Sequence, residues 1–159
     1  MEDINYLRDI FQTPGKVSGI PYDDRIERAK KGWDKKGEDT QKRLAEAKNF
    51  VKSGTKIVDP ADAVALLEAV VKPGDRVAIE GDNQKQANFL AKAFAKVNPS
   101  KVNNIHMIQS VLALPEHLDV FDKGIASKVD FCYSGPVAAR LANMVMNGKI
   151  TIGAIHTYM

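Results

Sequence analysis

A single cysteine, Cys132, excludes an internal disulfide and leads us to expect a reducing compartment. Long apolar runs are missing too: nothing approaches the roughly 20 residues that a membrane helix requires. The opening residues "MEDINYLRDIF" begin with acids and lack a basic segment followed by an apolar one, so no signal peptide and a cytoplasmic location are expected. Neither phosphate-cradling glycine pattern occurs, G-x-G-x-x-G or G-x-x-x-x-G-K-[ST], which argues against a conventional dinucleotide or P-loop site. The three histidines, His106, His117 and His156, have no metal-like spacing among themselves or with Cys132, so no bound metal is expected.

A strong charge of one sign is also lacking. The net charge is +3, and the excess is local: residues 25–48 hold nine Lys/Arg against five Asp/Glu. Both signs alternate there as on a solvated helix, and only one aromatic residue, Trp33, lies among them. A nucleic-acid surface would need denser positive charge with aromatics interleaved, so no nucleic-acid partner is expected.

The sequence does contain the ingredients of a globular domain. At 159 residues with 44% hydrophobic composition it can bury a core as about one domain. Residues 1–52 read as an arm, punctuated by Pro14, Gly15, Gly19 and Pro21, followed by an exposed helical region. That region is expected to be interrupted near Gly32-Trp33 and Gly37, with a thin apolar stripe of Leu44, Ala47 and Val51. Residues 53–159 read as an α/β domain. Asp59 is a suitable N-cap and Pro60 a suitable first helical residue, and Val64, Leu67 and Val71 recur at the helical period. "RVAIE" then reads as a strand. Ala87, Leu90, Ala91 and Phe94 mark the next helix, which stops before Asn98-Pro99 because the residue preceding a proline disfavours the α region. "VNNIHMI", "KVDFCY" and "ITIGAI" read as further strands, alternating with helices in "LPEHLDVFDKG" and "PVAARLANMVMNG". Such alternation predicts a mainly parallel sheet with flanking helices.

In an open parallel sheet the carboxyl ends of the strands share one edge, and ligands bind in the crevice outside it. The residues expected there are Glu80-Gly81-Asp82-Asn83-Gln84, Gln109-Ser110, Ser134-Gly135-Pro136 and His156-Thr157-Tyr158. All are polar or small. Asn83 with Gln86 resembles a capping box, leaving backbone N–H groups for a ligand's oxyanion or carboxylate, and Gly81 would allow close approach to the backbone. The plain alternative is a well-capped connection with a surface acid. Cys132 is expected in the core. Ser134 lacks the G-x-S-x-G elbow of a hydrolase nucleophile and reads as an N-cap, with Pro136 inside the helix start. Met107, Met144 and Met146 read as packing residues.

Three stretches carry a resemblance: "DPADAVALLEAVVKPGDRVAIEGDNQKQANFLAKAF", "HMIQSVLALPEHLDVFDKGIASKVDF" and "SGPVAARLANMVMNGKITIGAIHTYM". From about Trp33 to Met159 the chain resembles the N-terminal part of the malonate decarboxylase alpha subunit, a relative of the citrate lyase alpha subunit and the coenzyme A transferases. The resemblance implies a coenzyme A transferase-like half, here an N-terminal fragment of a longer two-half subunit. It implies an acyl-carrier-protein transferase: acetyl-S-carrier plus malonate gives malonyl-S-carrier plus acetate. It also implies a carrier-protein partner whose thiol belongs to a prosthetic group derived from dephospho-coenzyme A, with other decarboxylase subunits and no cofactor bound directly. In the related transferases the nucleophilic glutamate lies in the second half, so Glu80 is not equated with it, and the acylated residue is unknown. The residues expected to bind substrate or thioester are Glu80, Gly81, Asp82, Asn83, Gln84, Gln109, Ser110, Ser134 and Gly135. A non-catalytic assembly module, a citrate lyase alpha-like transferase and a nucleotide- or S-adenosylmethionine-binding domain are the competing readings.

Overall fold

A computed structural model describes residues 22–80 and 86–155. The expected arm over residues 1–23 therefore lies almost wholly outside the described residues. Helix α1 spans Tyr22–Ala47 without interruption, which corrects the expected breaks at Gly32 and Gly37. A glycine inside a helix costs only about 1 kcal/mol, so neighbouring good helix formers can carry the chain through it. The exposed character expected of this segment is present: Leu44 is about half exposed, and the side-chain pairs are local ones such as Arg43–Asp39 at 2.5 Å. The chain divides into two compact units between Leu44 and Ala45.

The second unit opens with a 3-10 turn and an antiparallel bridge between Val51 and Val58. Asp59 then caps a second 3-10 turn, Pro60–Asp62, by accepting from the Ala61 N–H at 3.0 Å. This turn runs directly into α2, Ala63–Val70, as the N-cap and proline signals foretold. Five further elements alternate with strands: β1 Arg76–Ala78, α3 Asn88–Phe94, β2 Ile105–Val111, α4 Glu116–Asp122 and β3 Ala126–Tyr133. After a 3-10 turn at Gly135–Val137 come α5, Ala138–Met146, and β4, Thr151–Ile155.

The four strands form one parallel sheet in the order β1-β2-β3-β4. Each crossover advances one strand in the same direction. Right-handed connections therefore place α3, α4 and α5 on one face of the sheet. Strand β2 shows which face that is, because its residues alternate between buried and half-buried along its whole length. Ile105 and Met107 point with Val129 and Phe131 toward Phe94 of α3, Leu118 and Phe121 of α4, and Leu141 and Met144 of α5. Val64, Leu67 and Val70 of α2 pack against the same cluster.

The opposite face carries His106, Ile108 and Ser110 of β2 and Lys128, Asp130 and Cys132 of β3, all half-buried. Cys132 is thus not in the core, contrary to expectation. A register shift between Ile105 and His106 skips Ser127, so Val129, Phe131 and not Cys132 fall on the helix side. On this polar face His106 Nε2 lies 2.9 Å from Asp130 Oδ1, although not in hydrogen-bonding geometry. Gly153 makes room for the pair, since a Cβ there would collide with Asp130 Oδ1.

Polar side chains also tie the helices together. Glu68 of α2 accepts from the Asn98 N–H at 2.8 Å and pairs with Lys101 at 2.6 Å, and these bonds hold its carboxyl below the usual range. Arg140 of α5 pairs with Asp119 at 2.7 Å and with Asp122, which also meets Lys149 at 2.5 Å. Burial opposes ionisation of Asp122, but the bonds from Arg140 and Lys149 outweigh it and lower its pKa.

Candidate functional site at the carboxyl edge of the sheet

Strand β1 delivers the chain to the carboxyl edge through Ile79, whose N–H continues the ladder to the Ile108 carbonyl at 3.1 Å. Glu80 follows, exposed, and its carbonyl accepts from the Ala87 N–H at 3.3 Å. That bond closes the base of a loop whose tip, with Gly81, Asp82, Asn83 and Gln84, lies outside the described residues. The expected capping box needs correction. Helix α3 begins only at Asn88, and Ala87 at its N-cap is not helical (φ −75°, ψ 54°). Gln86 therefore precedes the cap and cannot serve as the third helical residue that the box requires.

Strand β2 also differs from the expected span. It runs from Ile105 to Val111 and not over residues 102–108, because Asn104 takes a left-handed conformation (φ 53°) and Asn103 belongs to the preceding turn, where its carbonyl accepts from Gly74. Gln109 and Ser110 consequently lie inside the strand and not beyond it. Alternation sends them to opposite faces. Gln109, 2% exposed, enters the helix-covered core, and its Oε1 has no hydrogen-bond partner among the described residues. Ser110 joins the polar face with His106 and Asp130.

Ser134 and Gly135 do follow a strand end. Leu112 donates to the Tyr133 carbonyl at 2.8 Å, and the Ser134 carbonyl receives the Val137 N–H at 3.0 Å. Ser134 occupies the N-cap of the 3-10 turn with Pro136 within it, but its hydroxyl makes no capping bond. Gly135 is required here: its φ is +38°, and an added Cβ would lie 2.9 Å from the Tyr133 ring. His156, Thr157 and Tyr158 lie outside the described residues.

Two further polar groups stand at this edge without having been singled out by the sequence reading. Asn88, the first residue of α3, has a buried Oδ1 without a partner among the described residues. His117, in the first turn of α4, is 1% exposed. Its Nδ1 accepts from the Leu114 N–H at 3.4 Å, which leaves the proton on Nε2, and that atom has no partner among the described residues. Burial pushes the imidazole pKa down against a weaker upward pull from Glu116, so the ring is neutral. Both helices start at the carboxyl edge, and that position was the available signal.

The edge thus offers neutral hydrogen-bonding groups, suited to positioning a carboxylate, thioester or amide. Among the described residues no group of three His, Cys, Asp or Glu could hold a metal ion. The groove of about 420 Å³ lined by Asp122, Arg140 and Lys149 lies where α4 and α5 end, away from this edge.

Residues 32–159 match the family described as malonate decarboxylase, alpha subunit, transporter. The chain belongs to the malonate decarboxylase alpha-subunit family. It is 52% identical over 129 residues to an acetyl-S-ACP:malonate ACP transferase from Malonomonas rubra, which covers 81% of this chain and 23% of that protein. A malonate decarboxylase alpha subunit from Acinetobacter baumannii shares the fold with a TM-score of 0.74 at 40% identity, over 79% of this chain and 23% of that one. A Pseudomonas malonate decarboxylase hetero-tetramer, solved in complex with malonate, also gives a TM-score of 0.74, at 42% identity and over 80% and 23% of the two chains. The chain therefore spans about a quarter of the length of these relatives. Among the described residues no helix is long and apolar enough to cross a membrane.

Proposed function

We propose that this chain supplies one wall of the site at which an acyl-carrier-protein transferase exchanges acetate for malonate on a carrier thioester. The observation that carries this reading is the 52% identity to a transferase of that name, over most of this chain. Net chemistry is a swap at one sulfur: acetyl-S-carrier plus malonate gives malonyl-S-carrier plus acetate, and one malonate carboxylate oxygen leaves on the acetate. The Glu80–Gln84 loop, Ser110 and Ser134-Gly135 form this chain's share of the wall, while Gln109 lies in the core behind it. Backbone N–H groups around Gly81 and Asp82 would stabilise a developing oxyanion, a contribution of roughly 3 to 4 kcal/mol where one donor has been removed from such a site. Asn83 and Gln84 would orient the carboxylate or the amides of the carrier's arm.

The partners in this reading are the carrier subunit, with its prosthetic group derived from dephospho-coenzyme A, and the other decarboxylase subunits. The setting is cytoplasmic, and no cofactor is held by the chain itself. Because the chain spans about a quarter of its relatives, it is expected to be inactive alone. The test replaces Asn83 and Gln84 with alanine in a chain extended to the relatives' length. Transfer of labelled malonate to the carrier should fall at least tenfold while the melting temperature holds. Unchanged transfer would return the loop to a purely structural role.

A further inference from the structure

Beside the closed base of the Glu80–Ala87 loop lies a groove of about 300 Å³. Pro60 and Val64 form one side, and Phe89, Lys92, Ala93 and Lys96 of α3 and the turn after it form the other. Phe89 is 58% exposed, an unusual state for a phenylalanine on a helix whose opposite side buries Ala91 and Phe94. Among the described residues no acidic side chain lines the groove. Lys92 reaches across to Glu116 of α4 at 3.0 Å, which fixes its ammonium at the rim.

Phe89 and Lys96 are seven residues apart, so the apolar group and the cations extend over about 10 Å along the chain axis. That is the footprint of an extended partner face and not of a small acid. We propose that this groove docks an acidic protein surface in which an apolar side chain packs on Phe89 and carboxylates meet Lys92 and Lys96. The inference rests on the transferase reading, in which a carrier protein must bring its thioester to the carboxyl edge. Phe89 lies two residues beyond the Ala87 N–H that closes the edge loop, so a carrier seated here has the edge within reach of a flexible arm.

The experiment uses the chain extended to the relatives' length, in its complex, with Phe89→Ser, Lys96→Glu and the double variant. KM for acetylated carrier and KM for malonate are measured separately, together with the melting temperature and subunit composition. The double variant should raise KM for the carrier at least tenfold and leave kcat and KM for malonate within twofold. Added salt should raise the wild-type KM for the carrier more than that of Lys96→Glu, because exposed charge pairs are screened. If the wild type transfers and the variants keep its carrier KM, docking is elsewhere and only this inference falls. A rise in KM for malonate instead would make the groove a small-acid site. Loss of subunits or a lower melting temperature would show that it seats the rest of the assembly. If the wild type transfers nothing, the transferase reading fails and the docking with it.

Discussion

Gln109 separates a structural role from a functional one. Its side chain is 2% exposed on the core face of β2, the face that carries Met107 of the core cluster, and its Oε1 has no partner among the described residues. A buried acceptor without a bond costs about 1–3 kcal/mol, and replacement by an apolar group of the same shape removes that cost. Methionine matches glutamine in length and flexibility and fills irregular core space readily. Gln109→Met should therefore stabilise the fold by about 1–3 kcal/mol, which at about 4 °C per kcal/mol for a domain near this size raises the melting temperature by roughly 4–12 °C. In the extended chain the same substitution should leave malonate transfer within twofold, because the amide lies inside the core and not at the strand ends. Urea or thermal unfolding of this chain, paired with the transfer assay of the extended one, checks both halves. A Gln109→Met protein less stable than the wild type by 1 kcal/mol or more would show that the amide is satisfied, and would refute the reasoning.

The neutral His117 has a folded pKa below its ordinary 6.5, so the unfolded chain binds its proton first. Stability should be fully present above pH 6.5 and decline as pH falls below it, and His117→Phe should remove that part of the slope in pH-dependent unfolding. Phe94, fully buried in the core cluster, should cost about 3–5 kcal/mol as Phe94→Ala by the same measurement. Gly135→Ala should destabilise by about 1–2 kcal/mol from its left-handed backbone alone, since the exposed Tyr133 ring can swing away. Gly153→Ala should displace Asp130 from His106 and cost about 1–3 kcal/mol by overpacking, read by thermal unfolding.

Local chemistry made much of this fold legible. Asp59 and Pro60 mark the start that leads into α2, Asn147 and Gly148 mark the end of α5, and alternation from Ile105 onward marks β2. The errors share a cause: burial set by packing overrode what a residue type suggested. Val102 reads as the first residue of a strand but is fully buried in the turn before it, and the polar Gln109 reads as the end of a strand that continues through it. Leu90 fits the expected helical stripe yet is 38% exposed, because the helix starts at Asn88 and turns Ala91, Ala93 and Phe94 inward. Cys132 and the His106–Asp130 contact depend on a register shift between neighbouring strands, which spacing along one chain cannot reveal. The candidate site was legible in outline because every parallel sheet collects its strand ends at one edge. His117 and Asn88 were missed because their significance comes from the burial of a polar atom, a property of the folded state.

The central claim is tested most directly by following isotope. Acetylated carrier protein and labelled malonate are mixed with this chain and, in parallel, with the chain extended to its relatives' length. The account predicts label on the carrier thioester with the extended protein and none with the short one. Folded, extended protein that leaves a fully acetylated carrier unlabelled would contradict it.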